Sequence, residues 1–71
     1  MVSADQQSIL NFLQCSPDAY FSAMEISRKA GSRKQFAENP RWAVHPLRHL
    51  LDMRLVERDE QAHYRIAPPP T

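Results

Sequence analysis

Four breakers cut the first two-thirds of this chain into short pieces. Pro17, Gly31, Pro40 and Pro46 leave no uninterrupted stretch longer than sixteen residues before position 47. Proline lacks a backbone donor and clashes with the preceding helical turn, and glycine commonly closes a helix. Helices in this region must therefore be short.

Within those limits the apolar spacing predicts three helices. Ser3 has the character of an N-cap, with Gln6 three residues on as in a capping box. Ile9, Leu10, Phe12 and Leu13 then mark one face of a first helix over about Ala4 to Gln14. Pro17 ends it, and the adjacent aromatics of "DAYFS" read as a brief extended strand. Ser22, backed by Glu25, caps a second helix of about two turns. Ile26 and Ala30 face inward, Ala23 and Met24 pack at its start, and Gly31 closes it as a left-handed cap. In "NPRW", Asn39 is a candidate N-cap and Pro40 suits the first helical position of a third helix. Its buried stripe is Ala43, Leu47, Leu50 and Leu51, running to about Met53. Beyond it the period changes. Leu55 to Glu57 lead into a tight turn at "DEQA", and Ala62, Tyr64 and Ile66 alternate with His63 and Arg65, the pattern of a half-buried strand.

With 71 residues, of which 42% are apolar, the chain can build one modest core. Residues 1–67 are expected to form a single domain and 68–71, with "PPP", a frayed Pro-rich tail. The lone Cys15 has no internal disulfide partner, which suits a reducing compartment, and it is expected as a small buried thiol. The opening "MVSADQQSIL" has neither a cationic start nor a long apolar run, so a cytoplasmic location is expected, with no membrane involvement.

Charge is distributed unevenly. Residues 1–27 carry Asp5, Asp18 and Glu25 with no Lys or Arg. Residues 28–49 carry Arg28, Lys29, Arg33, Lys34, Arg41 and Arg48 against Glu38, a net of +5. Residues 50–71 return to −1, so a near-neutral chain has a basic middle.

The order of helix, short strand, helix, helix and hairpin resembles the winged helix-turn-helix family. "SAMEISRKAG" is similar to that family's second helix, "NPRWAVHPLRHLLDMRLV" to its recognition helix, and "HYRIAP" to its last wing strand. The resemblance spans residues 4–67 and implies an α+β fold of three helices, a short β-strand and a C-terminal β-hairpin wing. Four features depart from the pattern. Seven residues, "SRKQFAE", separate Gly31 from Asn39 where the family needs a residue or two. Arg54 stands where glycine is usual, and a left-handed backbone there costs an arginine on the order of 1 kcal/mol. Pro46 inside the third helix should kink it or split it at His45. Asp59 and Glu60 make the hairpin tip acidic, so it should repel phosphate.

What the resemblance implies is duplex DNA binding with a role in transcriptional regulation. The outward face of the third helix, with Trp42 and His49 beside it, would then enter the major groove. Arg41, His45 and Arg48 are the candidates for base edges, since the arginine fork matches guanine O6 and N7. Arg28, Lys29, Arg33 and Lys34 are the candidates for phosphates. Phe36 and Trp42 are expected to anchor the long turn. Were they exposed, they would instead mark a protein-docking surface on the inserted loop, which is the alternative function. A homodimer or other protein partner is left open. His45, His49 and Asp52 could share a helix face, but no further ligand accompanies them at metal-binding spacing, so no metal is expected. No glycine-rich phosphate loop or catalytic triad stands out, and neither enzyme activity, a cofactor nor a small-molecule substrate is expected.

Overall fold

The computed structural model describes residues 2–68, which form a small α+β fold of four helices and a three-stranded antiparallel sheet. Helix α1 (Ala4–Gln14) precedes strand β1 (Phe21–Ser22) and helices α2 (Ala23–Ala30), α3 (Arg33–Glu38) and α4 (Val44–Asp52). Strands β2 (Val56–Arg58) and β3 (His63–Ile66) close the chain as a hairpin. Of the Pro-rich tail, only Pro68 is among the described residues, and it is exposed.

Helix α1 starts as its capping residues dictate. The Ser3 side chain accepts the Gln6 amide, and Gln6 Oε1 accepts the Ser3 amide in return. Ile9, Leu10 and Leu13 turn inward, and at about 100° per residue Cys15 lies on the far side from Leu13. The thiol is therefore exposed rather than buried, its Sγ within 3.4 Å of the Asn11 carbonyl oxygen. At α2 the Ser22 side chain accepts the Glu25 amide, but Glu25 receives the Ser22 hydroxyl instead of a backbone amide, so the reciprocal half of the box is missing.

The sheet has the order β1-β3-β2. Phe21 pairs with Tyr64, Val56 with Ile66 and Glu57 with Arg65. Phe21, Tyr64 and Ile66 pack against the core with buried Val56, while Arg65 lies on the other face. There its Nη2 is 2.8 Å from Glu57 and its guanidinium lies 5.0 Å from the centre of the Tyr20 ring. The alternation holds for Tyr64 and Ile66 but not for Ala62, which belongs to the turn and has φ 61°.

Four expectations from the middle of the chain are corrected. The seven residues after Gly31 are not a loop: Ser32 accepts the Gln35 amide and starts α3, an additional helix, so there are four helices rather than three among the described residues. Gly31 is not left-handed. Its φ of −106° and ψ of −178° are extended, and its lack of a side chain serves close packing instead. A Cβ there would come within 2.6 Å of Trp42 Cζ2 and 2.6 Å of Gln35 Oε1.

Asn39 ends α3 rather than capping the next helix, and its Oδ1 accepts the Arg41 amide. A turn over residues 40–43 follows, and α4 begins only at Val44. Pro46 thus falls in the first turn of α4, where backbone amides have no partner within the helix. It does not split α4, which runs unbroken from Val44 to Asp52.

The exit of α4 follows the expected departure. Arg54 has φ 61°, its amide bonds the Leu51 carbonyl, and the Leu55 amide reaches back to Leu50. These two bonds form a Schellman closure in which arginine holds the position glycine usually occupies.

Gly31 and Arg54 should therefore respond to substitution with opposite signs. Gly31→Ala should destabilise by about 1–3 kcal/mol through overpacking against Trp42. Arg54→Gly should be neutral or stabilise by up to about 1 kcal/mol. Urea denaturation midpoints of the two variants check both.

Candidate nucleic-acid interface

The surface around α4 is organised by two groups that point inward. Ser27, fully buried on α2, accepts the Trp42 indole N–H at its carbonyl (2.8 Å) and the Ala43 amide at its hydroxyl (3.3 Å). Trp42 is only 7% exposed. It is an anchor, as one of the two readings expected, and does not lie on the outward face. Phe36 is half-buried.

The rest of the α4 surface follows from helix phase. Leu47 and Leu50 point into the core, so His45, Arg48, His49 and Asp52 emerge on the opposite side. His49 leans toward α1, with its Nδ1 3.3 Å from Gln6 Nε2. Because Gln6 Oε1 already accepts the Ser3 amide, Nε2 is the donor and His49 Nδ1 the acceptor. His45 makes no such contact and is exposed. Among the described residues no group of three His, Cys, Asp or Glu side chains could hold a metal ion. Nor is any helix among them long and apolar enough to cross a membrane.

All seven candidate residues are exposed. Arg28 and Lys29 lie in the last turn of α2, Arg33 and Lys34 open α3, Arg41 sits in the turn before α4, and His45 and Arg48 lie on α4. The ion pairs among the described residues are His63–Asp59 and Arg65–Glu57, so none of the six Arg and Lys candidates is paired there with a carboxylate. The exposed Asp52, one turn beyond Arg48, is the acid on this face of α4.

Two further residues belong to this surface. Met24, expected to pack inward, is 46% exposed, and Val44 at the start of α4 is 43% exposed. They line a shallow depression of about 180 Å³ together with Pro40 and Arg41. The sequence signal for Val44 is the start of α4, which the Asn39–Pro40 pair sets too early. A larger hollow of about 530 Å³, with Leu10, Leu55, Ile66 and Arg54 in its walls, includes none of the seven candidates.

The hairpin tip uses its acid internally. The Asp59 carboxylate accepts the amides of Gln61 (2.9 Å) and His63 (2.8 Å), with the His63 ring 3.7 Å away. The His63 amide, the largest influence, holds the Asp59 carboxyl below its ordinary value of 3.8.

No protein-family model matches the chain, and neither does any curated protein or solved structure.

Because Asp59 binds protons more weakly in the folded chain than in the unfolded one, its contribution to stability is complete above the ordinary value of 3.8 and is lost as pH falls through the lower folded value. Asp59→Asn keeps an acceptor oxygen but cannot titrate. Thermal midpoints from about pH 6 down to about pH 2.5 should fall less steeply with acid in this variant than in the parent chain.

Trp42→Phe removes the indole donor from the Ser27 carbonyl. It should destabilise by about 1–3 kcal/mol in urea denaturation.

Proposed function

We propose that this chain is a winged helix-turn-helix module that binds duplex DNA sequence-specifically and acts in transcriptional regulation. The observation that carries this is the state of the basic middle segment: six exposed cations on α2, α3, α4 and the turn before α4, without a carboxylate partner among the described residues. Exposed, unpaired Arg and Lys can replace the counterions around a phosphate backbone. The element order and the β1-β3-β2 sheet support the same reading, with α3 standing where a tight turn would join α2 to the recognition helix.

In this reading α4 lies in the major groove. Arg41, His45 and Arg48 address base edges, and Arg28, Lys29, Arg33 and Lys34 hold phosphates. The hairpin stays off the groove, since Asp59 and Glu60 would meet phosphate with like charge. Burial of Trp42 removes the exposed aromatic that a protein-docking loop would have used.

The test is an amide chemical-shift titration with mixed-sequence duplex DNA at two salt concentrations. Shifts should cluster on residues 28–49 and weaken as salt rises. If no resonance moves at low salt, the DNA reading is wrong. On a bound sequence, Arg48→Ala should cost about 1–3 kcal/mol and relax preference at one base pair. Lys34→Ala should weaken all sequences alike and lower the salt slope by about one.

A further inference from the structure

The exposed apolar pair on α2 and α4 has a use of its own within the proposed DNA-binding surface. Met24 and Val44 come from different helices yet meet in one depression with Pro40 and Arg41. Their exposure follows from helix phase. On α2, Ile26 and Ser27 point inward and leave Met24 on the flank toward α4. On α4, Leu47 and Leu50 do the same for Val44. Arg28 stands one turn beyond Met24, and Arg48 one turn beyond Val44, each at the i, i+4 spacing that makes neighbours on a helix. Arg41 thus lines an apolar notch, with Arg28 and Arg48 one helical turn further on, and none of the three has an ion-pair partner among the described residues.

A surface built only to attract phosphate gains nothing from a valine and a methionine between its cations. A surface that reads bases does, because the thymine C5-methyl is the apolar mark in the major groove and is read by apolar contact. Val44 is the first residue of α4, and the N-terminal residues of a recognition helix are those that approach base edges. Size suits the task as well. At about 180 Å³ and open to solvent, the depression can admit a methyl group but is smaller than usual small-molecule sites.

We infer that Val44 and Met24 form a methyl-reading subsite for a thymine, next to the base addressed by Arg41. This rests on the DNA-binding reading above, and the experiment separates the two. The full chain selects sites from duplexes with a randomised core, and each thymine of the recovered site is then replaced singly by deoxyuridine, which lacks only the methyl. Fluorescence anisotropy measures Kd for the parent chain, Val44→Ala and Met24→Gln. Both positions are exposed, so the variants should keep the fold, and circular dichroism checks that they do.

One thymine should be sensitive, with Kd rising about fourfold on loss of its methyl, the worth of one buried methyl-sized group. That sensitivity should vanish in Val44→Ala and shrink in Met24→Gln. If no site is enriched, the DNA reading and the subsite fall together. If sites are enriched but every deoxyuridine is silent, DNA binding stands and the subsite does not exist. Full methyl sensitivity in Val44→Ala also overturns the subsite, because another group is then reading the base.

Discussion

The contact on which the middle of this protein depends is the Trp42 ring laid over Gly31 and tied to Ser27. One side chain joins three elements. Its indole donates to α2, its ring covers the residue where α2 ends, and its backbone leads into α4. The buried Ser27 hydroxyl adds a second bond, to the Ala43 amide. A fold this small has few large side chains in its core, and Trp42 joins Ile9, Leu13, Ile26, Leu47 and Leu50 there. Pinning the turn at this point sets where α4 begins, and the start of α4 sets which of its side chains meet solvent.

The basic surface depends on the same anchor. With Trp42 inside, the turn presents Arg41 outward, and α4 presents Val44, His45 and Arg48. Gln35 ties α3 back to the body by donating to Asp5 at 3.0 Å. Several acids of the chain are engaged elsewhere: Asp59 in its own turn, Glu57 with Arg65, Asp5 with Gln35 and Glu25 with Ser22. A chain of net charge +1 can in this way hold, among the described residues, six cations in one segment without ion-pair partners. Long-range attraction to a polyanion stays modest at that net charge, so recognition would rest on local contacts.

Where short-range rules decide, the fold is legible in the residues. Ser3 with Gln6, Ser22 with Glu25 and the alternation through Tyr64 and Ile66 all give local structure, because a cap or a period-2 strand depends on neighbours within four positions. Arg54 is different, because only the family resemblance marked this site as one where glycine is usual, and the backbone there is left-handed with an arginine in place. The departures share a different origin. Asn39 and Pro40 have the composition of a helix start, yet the adjoining helix α3, opened by Ser32 and Gln35 in the same cap pattern as Ser3 and Gln6, claims Asn39 as its end, and two local signals this close together compete for the same residues. Gly31 has the composition of a left-handed cap, but the distant Trp42 is what requires it. Residue type favours a buried Cys15, whereas the phase of α1 puts it outside.

The candidate surface divides along the same line. Sequence alone determined that cations concentrate in residues 28–49, that apolar stripes at Ile9–Leu13 and Leu47–Leu50 must be covered, and that a hairpin follows the last helix. Those are properties of composition and period, and they survive any rearrangement of the loops. Tertiary structure decided that Trp42 faces inward, that Met24 and Val44 face outward side by side, and that the basic side chains have no acidic partners among the described residues. The physical reason is that exposure and pairing are relations between elements. They are set by how the helices pack together, and here a single buried indole ties the turn before α4 to α2.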